Sequence, residues 1–390
     1  MTAKAYLSRG VSPTKDDVKK AVKSQDKGVF PGAFCKIIPD IAGDPDYCCA
    51  IHADGAGTKS SVAYMMYKET GDHSWFRGIA QDSLVMNTDD LLCVGANNDF
   101  YLSNTIGRNA HRVDGQAIAS VINGYSDIID KLSEMGVNVV MTGGETADVG
   151  DLVQTIITDS TVVVRLKRSD VIYASNINPG DVIVGLASSG KATYEDKENS
   201  GMGSNGLTAA RHTLLHKDYL TKYPESVSNT IAEDKIYCGK YHLEQILPGT
   251  SLTVGEAILS PTRTYLPVMN DVFAKVDRDK IHGMIHCTGG GLVKCKDFGE
   301  NLLYIKDNLF DWPFIFNEIY KSNEVVQSEM YQIFNMGHRL EVYCDLETAR
   351  EVMASAKKFN VGARIIGRVE YHSDISNQVI IRDKGMEFTY

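Results

Sequence analysis

Asp82, Asp89 and Asp90 lie in GIAQDSLVMNTDDLLCV, residues 78–94, where Ile79, Val85, Met86, Leu91 and Leu92 recur at helical spacing. Seven residues is close to two helical turns, so Asp82 and Asp89 share a face, with Asp90 beside them. Like charges so placed repel unless a cation sits among them; the same pattern also fits a solvated acidic face. Two further carboxylates, Asp54 in HADGAGTKSS (52–61) and Glu145 in GGET, follow apolar strands into glycine turns, positions where sites are commonly built. Together the five would suit Mg²⁺, which takes a few carboxylates, waters and phosphate oxygens. Lys59 would then meet a phosphate oxygen as a point charge. The other reading is a set of independent turn and surface acids.

Glycine-rich stretches supply further candidates. DGAGTK (54–59) lacks the order of a Walker loop, because Lys59 follows Thr58 and Asp54 stands in front. GLASSGKA (185–192) has the Walker spacing, but Ala192 replaces the hydroxyl residue that should hold Mg²⁺. GMGSNG (201–206) sets Ser204 and Asn205 ahead of an expected helix, which makes it either an anion-binding turn or a simple helix cap. HCTGGG (286–291) places His286 before a backbone that a ligand can approach closely, and of ten histidines it is the acid or base candidate.

The elements that must carry these residues follow from periodicity and turn signals. Helices are expected at 15–24, 78–94, 114–135, from 206, and near 261–275; strands are expected in YCCAIHA, DFYLSNTI, VNVVM, STVVVRLKR and DVIVGLA, with a final helix and strand over 346–381. A chain of 390 residues exceeds what one core usually supports, and the Pro-Gly turn near 170–180 divides it into 1–172 and 173–390. Thr-Gly-Gly follows an apolar run in each half, at 142–144 and 288–290. The net charge of −10 speaks against a nucleic-acid surface, and no apolar run is long enough to span a membrane. Eight cysteines without a C-x-x-C pair and a start without a secretory pattern fit a cytoplasmic, reduced protein.

The order DGAGTK, MNTDDL, GGETA, SSG, SNG, SPTRTY, HCTGGG, EMYQIFNMG along most of the chain resembles the aminoimidazole ribonucleotide synthetase family, the phosphoribosylformylglycinamidine cyclo-ligases. The resemblance implies a two-domain mixed α/β fold that dimerises through an N-terminal sheet or barrel domain, with a C-terminal mixed-sheet domain for substrate. It implies ATP and Mg²⁺ at the N-terminal site, held by Asp54, Gly55, Gly57, Thr58, Lys59, Gly143, Gly144, Glu145 and Thr146, with metal on Asp54, Asp82, Asp89, Asp90 and Glu145. Formylglycinamidine ribonucleotide would meet Ser204, Asn205, Thr288, Gly289 and Gly290, while His286, Asp90 and Lys59 serve the chemistry. A phosphotransferase or dehydratase of the same superfamily is the alternative.

Three positions, one loop and one insertion depart from the family pattern. Asp89 stands where the family has asparagine, Gly203 where it has the histidine of PHSNG, and Arg339 where it has the glycine after FNxGx. The N-terminal glycine-rich loop is reduced to GVFPGAF, carrying Gly28 and Gly32, and an insertion, KATYEDKENSGM, occupies 191–202.

Overall fold

The computed structural model describes residues 4–12, 16–374 and 376–390. Two sheets organise it. The first has the order β1-β2-β5-β3-β4 and contains β1 (Ile37–Pro39), β2 (Tyr47–Gly55), β3 (Phe100–Arg108), β4 (Val139–Asp148) and β5 (Ile156–Lys167). Alternation in β5, where every second side chain is buried, marks one face against the core. Helices Arg77–Leu92 and Gly115–Glu134 cover that face.

The second sheet runs β14-β13-β10-β12-β6-β11-β9. Its strands are β6 (Val182–Ala187), β9 (Ile281–His286), β10 (Leu302–Lys306), β11 (His338–Cys344), β12 (Ala363–Tyr371), β13 (Gln378–Asp383) and β14 (Met386–Thr389); β7 (Ser189–Gly190) and β8 (Asn199–Ser200) form a separate ribbon. Only β10 and β13 pair in parallel within it. This is the mixed α/β architecture expected from the sequence.

Three local expectations change. The helix expected at 15–24 spans Asp16–Val22, and Lys15 lies outside the described residues. GGET is not a turn but part of β4: Gly143 (φ 108°) sits at a register shift, and a Cβ on Gly144 would lie 1.7 Å from Asn104 Oδ1. Those glycines serve close pairing with β3. The helix expected near 261–275 begins only at Leu266, leaving 260–265 outside any helix or strand.

That irregular segment joins the halves. Its five consecutive carbonyls each accept from a side chain of another element: Ser260 from Lys59 (2.6 Å), Pro261 from Asn199 (2.8 Å), Thr262 from Gln81 (2.8 Å), Arg263 from Arg339, and Thr264 from Tyr194 (2.7 Å). Its amides of Thr262 and Tyr265 donate to Asp82 (2.8 Å) and Asp89 (3.0 Å). Thr262 and Thr264 add hydroxyl bonds to the same two carboxylates, at 2.6 and 2.7 Å. A segment outside any helix or sheet must satisfy its backbone in this way once buried.

Asp82 and Asp89 therefore do share a helix face, but what they meet is protein. Lys59 Nζ lies 2.8 Å from Asp82 Oδ1, and both side chains are fully buried. Burial lowers the Lys59 pKa, and Asp82 opposes that shift. Asp82, Asp89 and Lys59, expected from the sequence at metal and phosphate, bond here to the joining segment, and Asp82 Oδ2 is left without a partner among the described residues. Burial also raises the Asp89 carboxyl to about 7, against the nearby Arg339 charge. Replacing Lys59 with Met should cost roughly 3–5 kcal/mol in urea unfolding, the range for breaking a buried ion pair. A variant of unchanged stability that no longer binds ATP would return Lys59 to the phosphate site.

Candidate functional site

DGAGTK and SNG meet in space. β2 ends at Gly55, and the helix Lys59–Thr70 starts immediately after Thr58, its N-cap residue. Gly206, in the left-handed conformation (φ 77°), opens the helix Leu207–Leu214. The hydroxyls of Thr58 and Thr208 are 3.1 Å apart, so the N-termini of the two helices converge, one from each half of the chain. Helix N-termini present unpaired amides and partial positive charge, which favours anions. Two polar atoms beside this junction, Ser60 Oγ and Asn205 Oδ1, are buried without a hydrogen-bond partner among the described residues. Ser204 Oγ contacts Thr262 Oγ1 at 2.9 Å, tying the SNG turn to the joining segment.

A charged chain runs beneath. His52 Nε2 lies 3.3 Å from Asp90 Oδ2, and His286 Nδ1 donates to Asp90 Oδ1 at 2.6 Å. His286 Nε2 then accepts from Arg339 Nε at 3.0 Å. With both ring nitrogens engaged in this way, His286 is held neutral; burial, helped by Arg339 and Lys294 and opposed by Asp90, takes its pKa down to about 4. Asp90 is held far below the usual carboxylate range: burial works against this, but Lys294 and the two histidines outweigh it. His52 donates from Nδ1 to Asn87 Oδ1 (3.0 Å), since the Asn87 amide nitrogen is occupied by backbone carbonyls. Burial lowers the His52 pKa, but Asp90 and Cys35 together outweigh it and leave it raised to about 11.

His286, singled out from the sequence, is thus fully buried with no nitrogen left for a substrate proton. His52, not singled out, is the histidine whose side chain retains 21% exposure. The available signal was its place two residues before Asp54 on one strand, which puts both side chains on one face.

Two departures from the family pattern prove to be one feature. Gly203 has φ +69°, and a Cβ there would lie 2.9 Å from Arg339 Nη1. The guanidinium occupies the space a side chain at 203 would need. Arg339 is 2% exposed, and the acceptors of its hydrogen bonds, His286 Nε2 and Arg263 O, are both neutral. Lys294 brings a second cation close to Asp90 and donates to Thr288 Oγ1 at 2.8 Å. Gly289 beyond it is exposed with open space around it.

Other candidates fall elsewhere. Asp54 is exposed at the end of β2, and its Oδ1 accepts from the Gly55 amide at 2.7 Å. Glu145 and Thr146 are exposed on edge strand β4. Among the described residues the five carboxylates form no metal-ready cluster. The Walker-spaced stretch is excluded by chemistry: Gly185 lies inside central strand β6, and the carbonyls of Ala187, Ser189 and Gly190 accept from Arg263. It offers acceptors to a guanidinium, whereas a phosphate loop must offer donors. The insertion supplies Glu195, paired with Arg263 at 2.5 Å, and Tyr194 and Asn199 on the joining segment.

Comparison with known proteins places this geometry. Residues 25–164 match the family model of the AIR synthase related protein, N-terminal domain, and residues 178–379 that of the C-terminal domain. The phosphoribosylformylglycinamidine cyclo-ligase of Methanocaldococcus jannaschii is 30% identical over 339 residues, 86% of this chain and 82% of the relative. That of Carboxydothermus hydrogenoformans is 28% identical over 352 residues, covering 88% and 85%. In fold the chain is similar to T. maritima PurL complexed with FGAR (TM-score 0.56, 15% identity, 95% of this chain and 49% of that one) and to hydrogenase maturation protein HypE (0.54, 14%, 90% and 89%). Matched in both halves and along most of its length, the chain belongs to the AIR synthase family.

Proposed function

We propose that the chain closes the imidazole ring of aminoimidazole ribonucleotide from formylglycinamidine ribonucleotide, using ATP. The observation that carries this reading is the convergence of the two helix N-termini at Thr58 and Thr208 beside the chain His52, Asp90, His286, Arg339. The relatives named as cyclo-ligases support it. In this reaction the formyl amide oxygen takes the γ-phosphoryl group and ADP leaves; the amidine nitrogen then adds to the formyl carbon, and phosphate and a proton depart. Gly55, Gly57 and Thr58 cradle the nucleotide phosphates, and Ser204, Asn205, Thr288, Gly289 and Gly290 receive the ribonucleotide. His52, Arg339 and Lys294 supply positive charge where phosphoryl oxygens gather it. Asp54 is the carboxylate placed to hold Mg²⁺, which would neutralise further phosphate charge when bound.

We further infer a homodimer through the outer face of the first sheet. Ile51, Val163, Tyr101 and Val140 form one cross-strand row, with Ile51, Tyr101 and Val140 exposed by 54%, 49% and 38%. A contiguous apolar row on a sheet face marks an interface. Tyr101→Glu should convert a dimer into a monomer by light scattering; a wild-type chain that is already monomeric sinks this part.

Purified chain given ATP, Mg²⁺ and formylglycinamidine ribonucleotide should release ADP and aminoimidazole ribonucleotide in equal amounts. ADP release without ring closure would favour the phosphotransferase reading instead. Arg339→Gly should lower kcat about a hundredfold, the scale of one lost charge-stabilising donor. Gly203→Asn, a residue that tolerates positive φ, should destabilise the wild type but not Arg339→Gly, giving a coupling of roughly 1–3 kcal/mol. Additive effects would show that the two positions act independently.

A further inference from the structure

Two groups of metal-ligating side chains lie outside this site. Cys287, His338 and Glu341 are buried together, but Lys306 Nζ is 2.5 Å from Glu341 Oε1, so an ammonium already fills the cation position. His216, Asp218 and His242 differ. Asp218 Oδ2 lies 3.1 Å from His216 Nδ1 and 3.4 Å from His242 Nε2, and the three ligand atoms all lie within 4.8 Å of one another. Among the described residues the Asp218 carboxylate pairs with these imidazoles and with no lysine or arginine.

We propose that His216, Asp218 and His242 form a Zn²⁺ site. Zinc bound to nitrogen and oxygen at about 2.0–2.2 Å in a tetrahedron sets neighbouring ligands about 3.3–3.5 Å apart. Of the two nitrogen-to-carboxylate distances, 3.4 Å lies within that edge and 3.1 Å just below it. Stacking brings the two rings together, with centroids 4.9 Å apart. Their backbones are fixed: His216 N donates to Tyr241 O (2.8 Å), His242 N to Gln245 Oε1 (2.8 Å), and Leu243 N to the Tyr219 hydroxyl (2.8 Å). The one competing bond, from the Asp218 amide to His216 Nδ1, is long at 3.3 Å. Side-chain exposures of 33%, 63% and 45% leave a fourth position for water.

His216 and His242 stand at the two ends of the excursion 217–241, which carries the short helix Asp218–Lys222 and two 3₁₀ turns. A metal joining them closes that loop, the arrangement in which a metal clip removes most unfolded-state entropy. It also anchors the C-terminal end of the helix Leu207–Leu214, whose N-terminal end meets Thr58 at the candidate site.

The test uses the full chain, freed of metal with a chelator and titrated with Zn²⁺ alone. One equivalent should bind, and Tm should rise with Zn²⁺ concentration. His242→Gln and His216→Gln should each weaken binding at least tenfold and abolish the Tm rise while leaving the metal-free Tm unchanged. Cys238→Ser removes the exposed thiol that is the rival ligand and should leave binding intact. With Co²⁺ the visible spectrum should show tetrahedral ligand-field bands without thiolate charge transfer. Binding that survives both histidine variants, or that disappears with Cys238→Ser, overturns the site.

Discussion

Five carbonyls in a row, from Ser260 to Thr264, are each capped by a side chain from elsewhere, and the cleft is built around that strip. The acidic helix grips it from the N-terminal half, and Tyr194 and Asn199 of the insertion grip it from the other side. Arg339 and Ser204, both at the candidate site, also bond to it. The bonds from Lys59, Arg339, Asp82 and Asp89 are buried and charge-assisted, so losing one leaves a polar group stranded in an apolar setting. Rigidity of the site and union of the halves are the same set of bonds.

The field of the cleft runs against that of the whole molecule. A chain with a formal charge of −10 collects His52, Lys294 and Arg339 around one carboxylate, Asp90. Asp90 balances part of this charge, and the remainder favours an anion.

How far the sequence was legible depends on what kind of fact was asked of it. Helical spacing correctly placed Asp82 and Asp89 on one face and buried Ile79, Leu91 and Leu92. It could not say what that face meets, because Thr262 and Thr264 lie some 175 to 180 residues away and no local pattern announces them. GGET read as a turn because glycines usually break strands; here they allow β3 and β4 to approach across a bulge. Gly203 and Arg339 were visible as separate oddities, and only their contact makes them one. His52 was overlooked because its one signal, the two-residue spacing from Asp54, was weak beside that of His286, which stood before three glycines.

The union through residues 260–265 also has a consequence for synthesis on the ribosome. All five strands of the first sheet have been made by Lys167, yet Thr262 emerges about 95 residues later, which at 5–20 residues per second is roughly 5–20 s. Until then Asp82 and Asp89 lack the Thr262 and Tyr265 amides that hold them in the finished chain, so the junction closes only after the joining segment has been made.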